Sequence, residues 1–216
     1  MESKIEFMQI LDSLKWRYAT KKFDATRFLT TKQLQTLKEA FNLTATSYGL
    51  QPIRLVVIQD KDLQKQLLPH SWKQRQVIDA SHLLVICIEN TVDTEYIESY
   101  FARVKEIRDT PDEILKPFKS FMIDSFSKKT AEELKIWATK QAYLAMGNLL
   151  TVCGAEQIDA CPMEGFIPEK YDEVLGLKAH GLSSVLLLPV GFRAEDDMFG
   201  DFAKVRKSIS ESVLEL

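Results

Sequence analysis

From Ala142 to Val152 apolar residues fall on nearly every side of a helical projection, within a segment that opens on a capping box, Thr130 with Glu133, and runs to Gly154. A helix with almost no polar face must lie inside, so this pattern predicts a buried spine around which the other elements are wrapped. Three short runs rich in β-branched and aliphatic residues supply buried strands for that wrapping: Ile53 to Ile58, Leu83 to Ile88 and Ser183 to Val190. Gln51-Pro52 punctuates a turn before the first of them.

Helical spacing accounts for most of the remainder. Ile5, Met8, Leu11 and Leu14 predict an amphipathic helix ending near Trp16. A second starts at Thr30, capped with Gln33, shows Leu34, Leu37 and Phe41 on one face, and runs out at Asn42 and Thr44. A short helix is expected from Asp62 to Leu68. Residues 93–127, charged and aromatic without strand signals, read as two helices broken near Thr110-Pro111, because proline disfavours helix for the residue before it. They form an excursion from the core. A chain of 216 residues, 45% hydrophobic, builds its core as one domain or two small ones.

Several functions are excluded by what the residues lack. With 28 Lys+Arg against 31 Asp+Glu there is no bulk positive charge for nucleic acid, and any anion site is local. No run approaches the roughly 20 apolar residues of a membrane helix. The charged start MESKIEFMQILDSL is not a secretory signal. Cys87, Cys153 and Cys161 are odd in number and set in apolar surroundings, which favours a reducing compartment and a cytoplasmic protein. The eight glycines never form G-x-G, no G-x-S-x-G elbow exists, and His70, His82 and His180 lie far apart without metal-ligand spacing, so no metal is expected. His82, just ahead of a strand, reads as structural. What remains is cationic: Arg17 and Lys21 in WRYATKKF, and Lys204 with Arg206 near the end. Spacing alone leaves two readings for these, solvated charge at a helix C-terminus or an anion site.

Taken in order, the motifs resemble those of the FMN-dependent nitroreductases, in particular the oxygen-insensitive NAD(P)H nitroreductase and dihydropteridine reductase branch. They are Arg17-Tyr18-Ala19-Thr20-Lys21-Lys22-Phe23, Gln51-Pro52, Asp79-Ala80-Ser81-His82, Lys140-Gln141-Ala142-Tyr143-Leu144 with Gly147-Asn148, Pro162-Met163-Glu164-Gly165-Phe166, and Lys204-x-Arg206. Together they cover roughly Trp16 to Arg206.

The resemblance implies a single α+β domain over residues 1–216, with a central, mostly antiparallel sheet wrapped by helices. It further implies an intertwined homodimer carrying FMN at the interface, with NADH or NADPH as co-substrate. Arg17, Lys204 and Arg206 would hold the phosphate, since guanidinium grips phosphate bidentately. Tyr18 and Ala19 belong to the same cofactor segment, and Lys21 would sit at the N1/O2 edge of the ring, where a cation favours reduction. Ala45, Thr46, Ser47 and Gly49 would form the loop that the partner lays against the flavin. Gln141 would approach the ring from the spine helix. Pro162, Glu164 and Gly165 would pack on the ring, with the Gly165 N–H toward N5 and Glu164 near nicotinamide or substrate. Lys73 and Gln76 occupy positions where the family commonly has asparagine and lysine or glutamine, and Ala19 replaces a common serine. Within the 93–127 excursion Phe118, Phe121 and Met122 would either line the substrate channel or pack core.

The implied activity is ping-pong, two-electron reduction of small-molecule acceptors, nitroaromatics or quinones, with no acid–base residue required. A pterin or other specific metabolite as natural acceptor, a flavin binder without turnover, and a cofactor-free helical interaction module are the alternatives.

Overall fold

The computed structural model describes residues 10–216. Ile5 and Met8 of the expected first helix lie outside the described residues. The elements in order are α1 (Ile10–Trp16), α2 (Thr31–Asn42), β1 (Ile53–Ile58), α3 (Lys61–Leu67), α4 (Gln76–Asp79), β2 (His82–Glu89), α5 (Thr94–Arg108), α6 (Asp112–Ser127), α7 (Ala131–Ala155), β3 (Asp159–Ala160), α8 (Pro168–Val174), β4 (Leu182–Gly191) and α9 (Ile209–Ser212). Both capping boxes are formed: Thr30 and Gln33 satisfy each other's backbone N–H groups before α2, as Thr130 and Glu133 do before α7.

The four strands make one antiparallel sheet in the order β1-β2-β4-β3. β2 and β4 are central and closed to water on both faces, so they read as unbroken apolar runs rather than alternating ones. Alternate side chains still divide between two layers. Leu84, Ile86 and Ile88 pack toward α7 with Leu149 and Cys153, whereas Leu83, Val85 and Cys87 pack on the other face with Leu67 and Tyr171. Fully burying one such aliphatic side chain contributes about 1.5–3 kcal/mol, so these two layers dominate stability. α5 and α6 close a third cluster around Ile97, Phe101, Met122 and Phe126, a core of their own. The three cysteines are buried free thiols.

The structure departs from or adds to the sequence reading at four points. β1 is an edge strand: Arg54 is exposed and Leu55, Val56 and Val57 are only half covered. α7 is not buried all round, because Ile136 (47% exposed), Tyr143 (47%) and Leu144 (54%) form a bare apolar stripe at helical spacing. β3 was not anticipated, since two residues carry no periodicity. Met122 is completely buried in the α5–α6 core and is packing, not channel lining. No helix among the described residues is long and apolar enough to cross a membrane.

Candidate functional site

Two distant stretches of chain meet at the C-terminal end of α7. The Arg17 N–H donates to the Ser13 carbonyl (3.0 Å), closing α1, and Gly154 of α7 lies so near that a β-carbon there would stand 3.1 Å from the Ser13 oxygen and 3.5 Å from Arg17 Cγ. The tail returns to this place, where Lys204 Nζ donates to the Lys15 carbonyl (2.6 Å). Burial first, and then the charge of Arg206, hold the Arg17 guanidinium below its ordinary pKa, while the nearby thiols pull the other way. Burial, Arg17, Arg206 and Arg193 likewise lower Lys204. Among the described residues no carboxylate pairs with Arg17, Lys204 or Arg206, and the buried Arg17 Nε has no hydrogen-bond partner. Uncompensated cations gathered against their mutual repulsion are the makings of an anion site.

A frame that the motifs did not reveal holds these cations in place. Asp197 accepts hydrogen bonds from the Lys21 N–H (2.9 Å), the Lys22 N–H (3.0 Å), the Tyr18 hydroxyl (2.9 Å) and the Phe199 N–H (3.3 Å). Tyr18 therefore spends its hydroxyl on Asp197 rather than offering it to a ligand. The Arg193 guanidinium lies 4.4 Å from the Trp16 ring centre and 4.5 Å from that of Tyr18, and is ion-paired with Asp159 (2.6 Å), so the residues either side of Arg17 are clamped. Ala19 bridges Ala160 in parallel, which lays the segment beside β3. Lys21 is exposed, and both it and Arg17 act electrostatically on the buried Cys161 thiol, whose pKa burial nonetheless raises.

For Asp197 burial opposes ionisation, but the hydrogen bonds from Lys22, Lys21, Tyr18 and Phe199 outweigh it and keep the carboxyl below its ordinary value. A carboxyl depressed in the folded state contributes stability above the unfolded pKa, about 3.9, which is lost as pH falls through the folded value. Asp197→Asn is expected to cost about 2–3 kcal/mol at neutral pH and to flatten the fall in stability below about pH 5. Thermal melts of both proteins as a function of pH check this; parallel curves would show that Asp197 is not the acid-sensitive group.

Past β3 the chain stays tied to β4 through Cys161 N–H to Pro189 (3.1 Å) and the mutual bonds of Met163 and Leu187, which leaves Pro162, Glu164 and Gly165 at the surface of the sheet. Glu164 accepts a hydrogen bond from the Tyr143 hydroxyl (2.6 Å), and Gly165 accepts one from Gln74 Nε2 (2.9 Å). No acceptor among the described residues meets the Gly165 N–H. Lys73, exposed, adopts a left-handed φ of 58°, a conformation asparagine tolerates better than lysine, whereas Gln76 is nearly buried at the start of α4.

The loop of Ala45, Thr46, Ser47 and Gly49 sits elsewhere. Gln141 accepts the Ser47 N–H (2.8 Å) and donates to the Trp137 carbonyl (3.0 Å), so both ends of its amide are spent on anchoring this loop, not on reaching toward a ring. Gly49 has φ of 73° and a β-carbon would stand 2.7 Å from the Tyr100 hydroxyl oxygen, which explains glycine there. Gln141 and Gly154 are thirteen residues apart on α7, about 20 Å at 1.5 Å per residue. One protomer thus sets its cations and this loop on the order of 20 Å apart along α7. Phe118 and Phe121 are exposed and stacked with ring centres 6.3 Å apart.

Comparison with known proteins places these features in context. A family model described as the nitroreductase family matches residues 14–192. A Staphylococcus haemolyticus protein assigned as an NAD(P)H nitroreductase is 31% identical over 195 residues, covering 87% of this chain and 89% of its own. Among solved structures, an assigned nitroreductase of Bacillus subtilis superposes with TM-score 0.85 at 17% identity, covering 95% and 98% of the two chains. One from Exiguobacterium sibiricum, crystallised in complex with FMN, gives 0.82 at 20% identity, covering 98% and 97%. At these identities the structural likeness concerns the fold.

Proposed function

The chain belongs to the nitroreductase family, and from that premise we propose that it is a homodimeric FMN-dependent NAD(P)H oxidoreductase reducing small planar acceptors, nitroaromatics or quinones. The observation that carries this reading is the cluster of Arg17, Lys204 and Arg206, drawn from both ends of the chain and left without carboxylate partners. These residues fit the phosphate of FMN: together they can neutralise a dianion, and Arg17 Nε lacks a hydrogen-bond partner.

When bound, FMN supplies the redox chemistry, taking two electrons from NADH or NADPH and passing them to the acceptor in a separate half-reaction. The chain's own residues bind, orient and tune. Asp197 fixes the backbone at residues 21 and 22, so Lys21 would stand as a fixed cation where negative charge accumulates on reduction. The unpaired Gly165 N–H would point a donor at the ring, and Gln74 holds the peptide that follows, between Gly165 and Phe166, through the Gly165 carbonyl. Ala19, Pro162, Glu164, Lys73 and Gln76 would complete the wall. Tyr18 and Gln141 act instead through Asp197 and Ser47 as positioning residues.

A dimer accounts for three features of the single protomer. The loop of Ala45, Thr46, Ser47 and Gly49, distant from its own cations, would close the partner's site. The bare stripe on α7 would be covered, and the exposed tail with Phe202, Val205, Ile209 and Leu214 would wrap the second subunit. We read residues 1–216 as one domain in which 93–127 is a helical excursion, with Phe118 and Phe121 at the mouth of the acceptor channel. Release of the chromophore from purified protein tests the cofactor assignment: one FMN per chain is expected. A colourless chain that takes up no FMN in excess would defeat it.

A further inference from the structure

Beside Gly165 the chain makes a turn whose cost calls for an explanation. Trp72 and Lys73 are consecutive non-glycine residues with φ of 51° and 58°, both in the left-handed region, where a β-carbon is crowded against the backbone. Such strain persists only where surrounding structure over-determines it, and here both flanks are pinned. On one side the wholly buried Ser71 donates to the Leu67 carbonyl (2.9 Å) and shares a hydrogen bond with the Tyr171 hydroxyl (2.6 Å). On that same side the Ile167 N–H donates to the His70 carbonyl (2.9 Å), and on the other Gln74 Nε2 reaches the Gly165 carbonyl.

What this turn holds out is an indole. Trp72 is 68% exposed, unlike Trp16 and Trp137, which are partly covered. Its Cε3 and Cζ3 edge lies where a β-carbon on Gly165 would come within 2.9–3.0 Å, so the ring rests directly on the Gly165 backbone. Leaving most of a tryptophan in water forfeits much of the free energy its burial would give, and the strain adds to that loss. The burial is recovered when a flat apolar molecule covers the free part of the ring beside Gly165.

We propose that Trp72 is the stacking wall of the acceptor slot, and that it selects planar, electron-poor rings over compact acceptors. An electron-rich indole face complements the electron-deficient ring of a quinone or nitroaromatic, and two rigid planes lose little conformational entropy on meeting. The inference rests on the flavin reading above and adds a residue and a selectivity to it.

The test uses FMN-loaded wild type, Trp72→Ala and Trp72→Phe, with menadione as the planar probe and ferricyanide as an acceptor that cannot stack. Menadione affinity is measured by calorimetry on oxidised protein without nicotinamide, so that binding is read apart from turnover. Trp72→Ala is expected to weaken menadione at least tenfold and to lower the ratio of menadione to ferricyanide kcat/KM by a similar factor, with Trp72→Phe recovering most of both. Menadione affinity and ratio within twofold of wild type in both variants would overturn the proposal while leaving the flavin reading intact. A wild-type protein that binds no FMN would overturn both.

Discussion

Arg17→Met is expected to weaken FMN binding ten- to a hundredfold without destabilising the unliganded protein. Methionine keeps the aliphatic stem that packs beside Gly154 but removes the guanidinium, and a hydrogen bond to a charged group is worth about 1.5–3 kcal/mol. In the unliganded chain that guanidinium is a burden: it is desolvated, it faces Arg206, and its Nε is unsatisfied. Its loss therefore relieves repulsion, and the melting temperature without FMN should hold or rise. The stabilisation that FMN confers should shrink by about 1.4 kcal/mol for each tenfold loss of affinity, some 3–5 °C in a chain this size. Flavin titration and melts with and without FMN read the two effects separately. The wild-type affinity should also fall more steeply with salt than that of the variant. Unchanged affinity together with a lowered unliganded melting temperature would make Arg17 a structural residue and remove the anion site.

Leu144→Arg is expected to convert a dimer into a monomer and, with it, to empty the flavin site. Leu144 is 54% exposed and forms one stripe with Ile136 and Tyr143 on a helix whose opposite side is buried. A charge there is harmless to a lone protomer, because the side chain already faces water, but prohibitive inside an interface between two copies. The loop anchored by Gln141 lies about 20 Å along α7 from the cation cluster, so a monomer would offer its flavin only half a site. Light scattering on the eluting protein and its absorbance in the visible should change together. A variant that remains dimeric and yellow would place the interface elsewhere on the chain.

How far the sequence foretold this depends on the range over which each signal acts. Capping at Thr30 and Thr130 and the break at Thr110-Pro111 are local chemistry, and the helices they bound appear where expected. Apolar runs likewise marked β1, β2 and β4. Apolarity says only that a surface is covered, however, not by what: α7 reads as a buried spine, yet one face of it is bare in the protomer. β1 reads as an inner strand for the same reason and proves to be an edge. Met122 was indistinguishable from Phe118 and Phe121 in composition, and only packing sorts the buried residue from the exposed pair.

The site divides similarly. Arg17, Lys204 and Arg206 lie in recognisable motifs, but their meeting is a tertiary fact. Asp197 sits in the polar run Glu195-Asp196-Asp197, where it looks like solvated charge, and nothing short of the fold distinguishes it from Asp196, which pairs with Lys22 at the surface. Gln141 was marked only by the family motif, which says nothing of the direction in which its amide is spent. Trp72 carried no motif at all. The clue was two residues in left-handed backbone without a glycine, which no propensity rule anticipates.

The central claim is that this chain carries a flavin it can reduce and reoxidise. Anaerobic mixing of the purified protein with NADPH, and separately with NADH, tests it most directly by following absorbance near the flavin maximum. The account predicts a yellow protein that bleaches with at least one of the two and regains its colour when a quinone is added. A yellow protein that neither nicotinamide bleaches would contradict the oxidoreductase reading and leave a flavin binder without turnover.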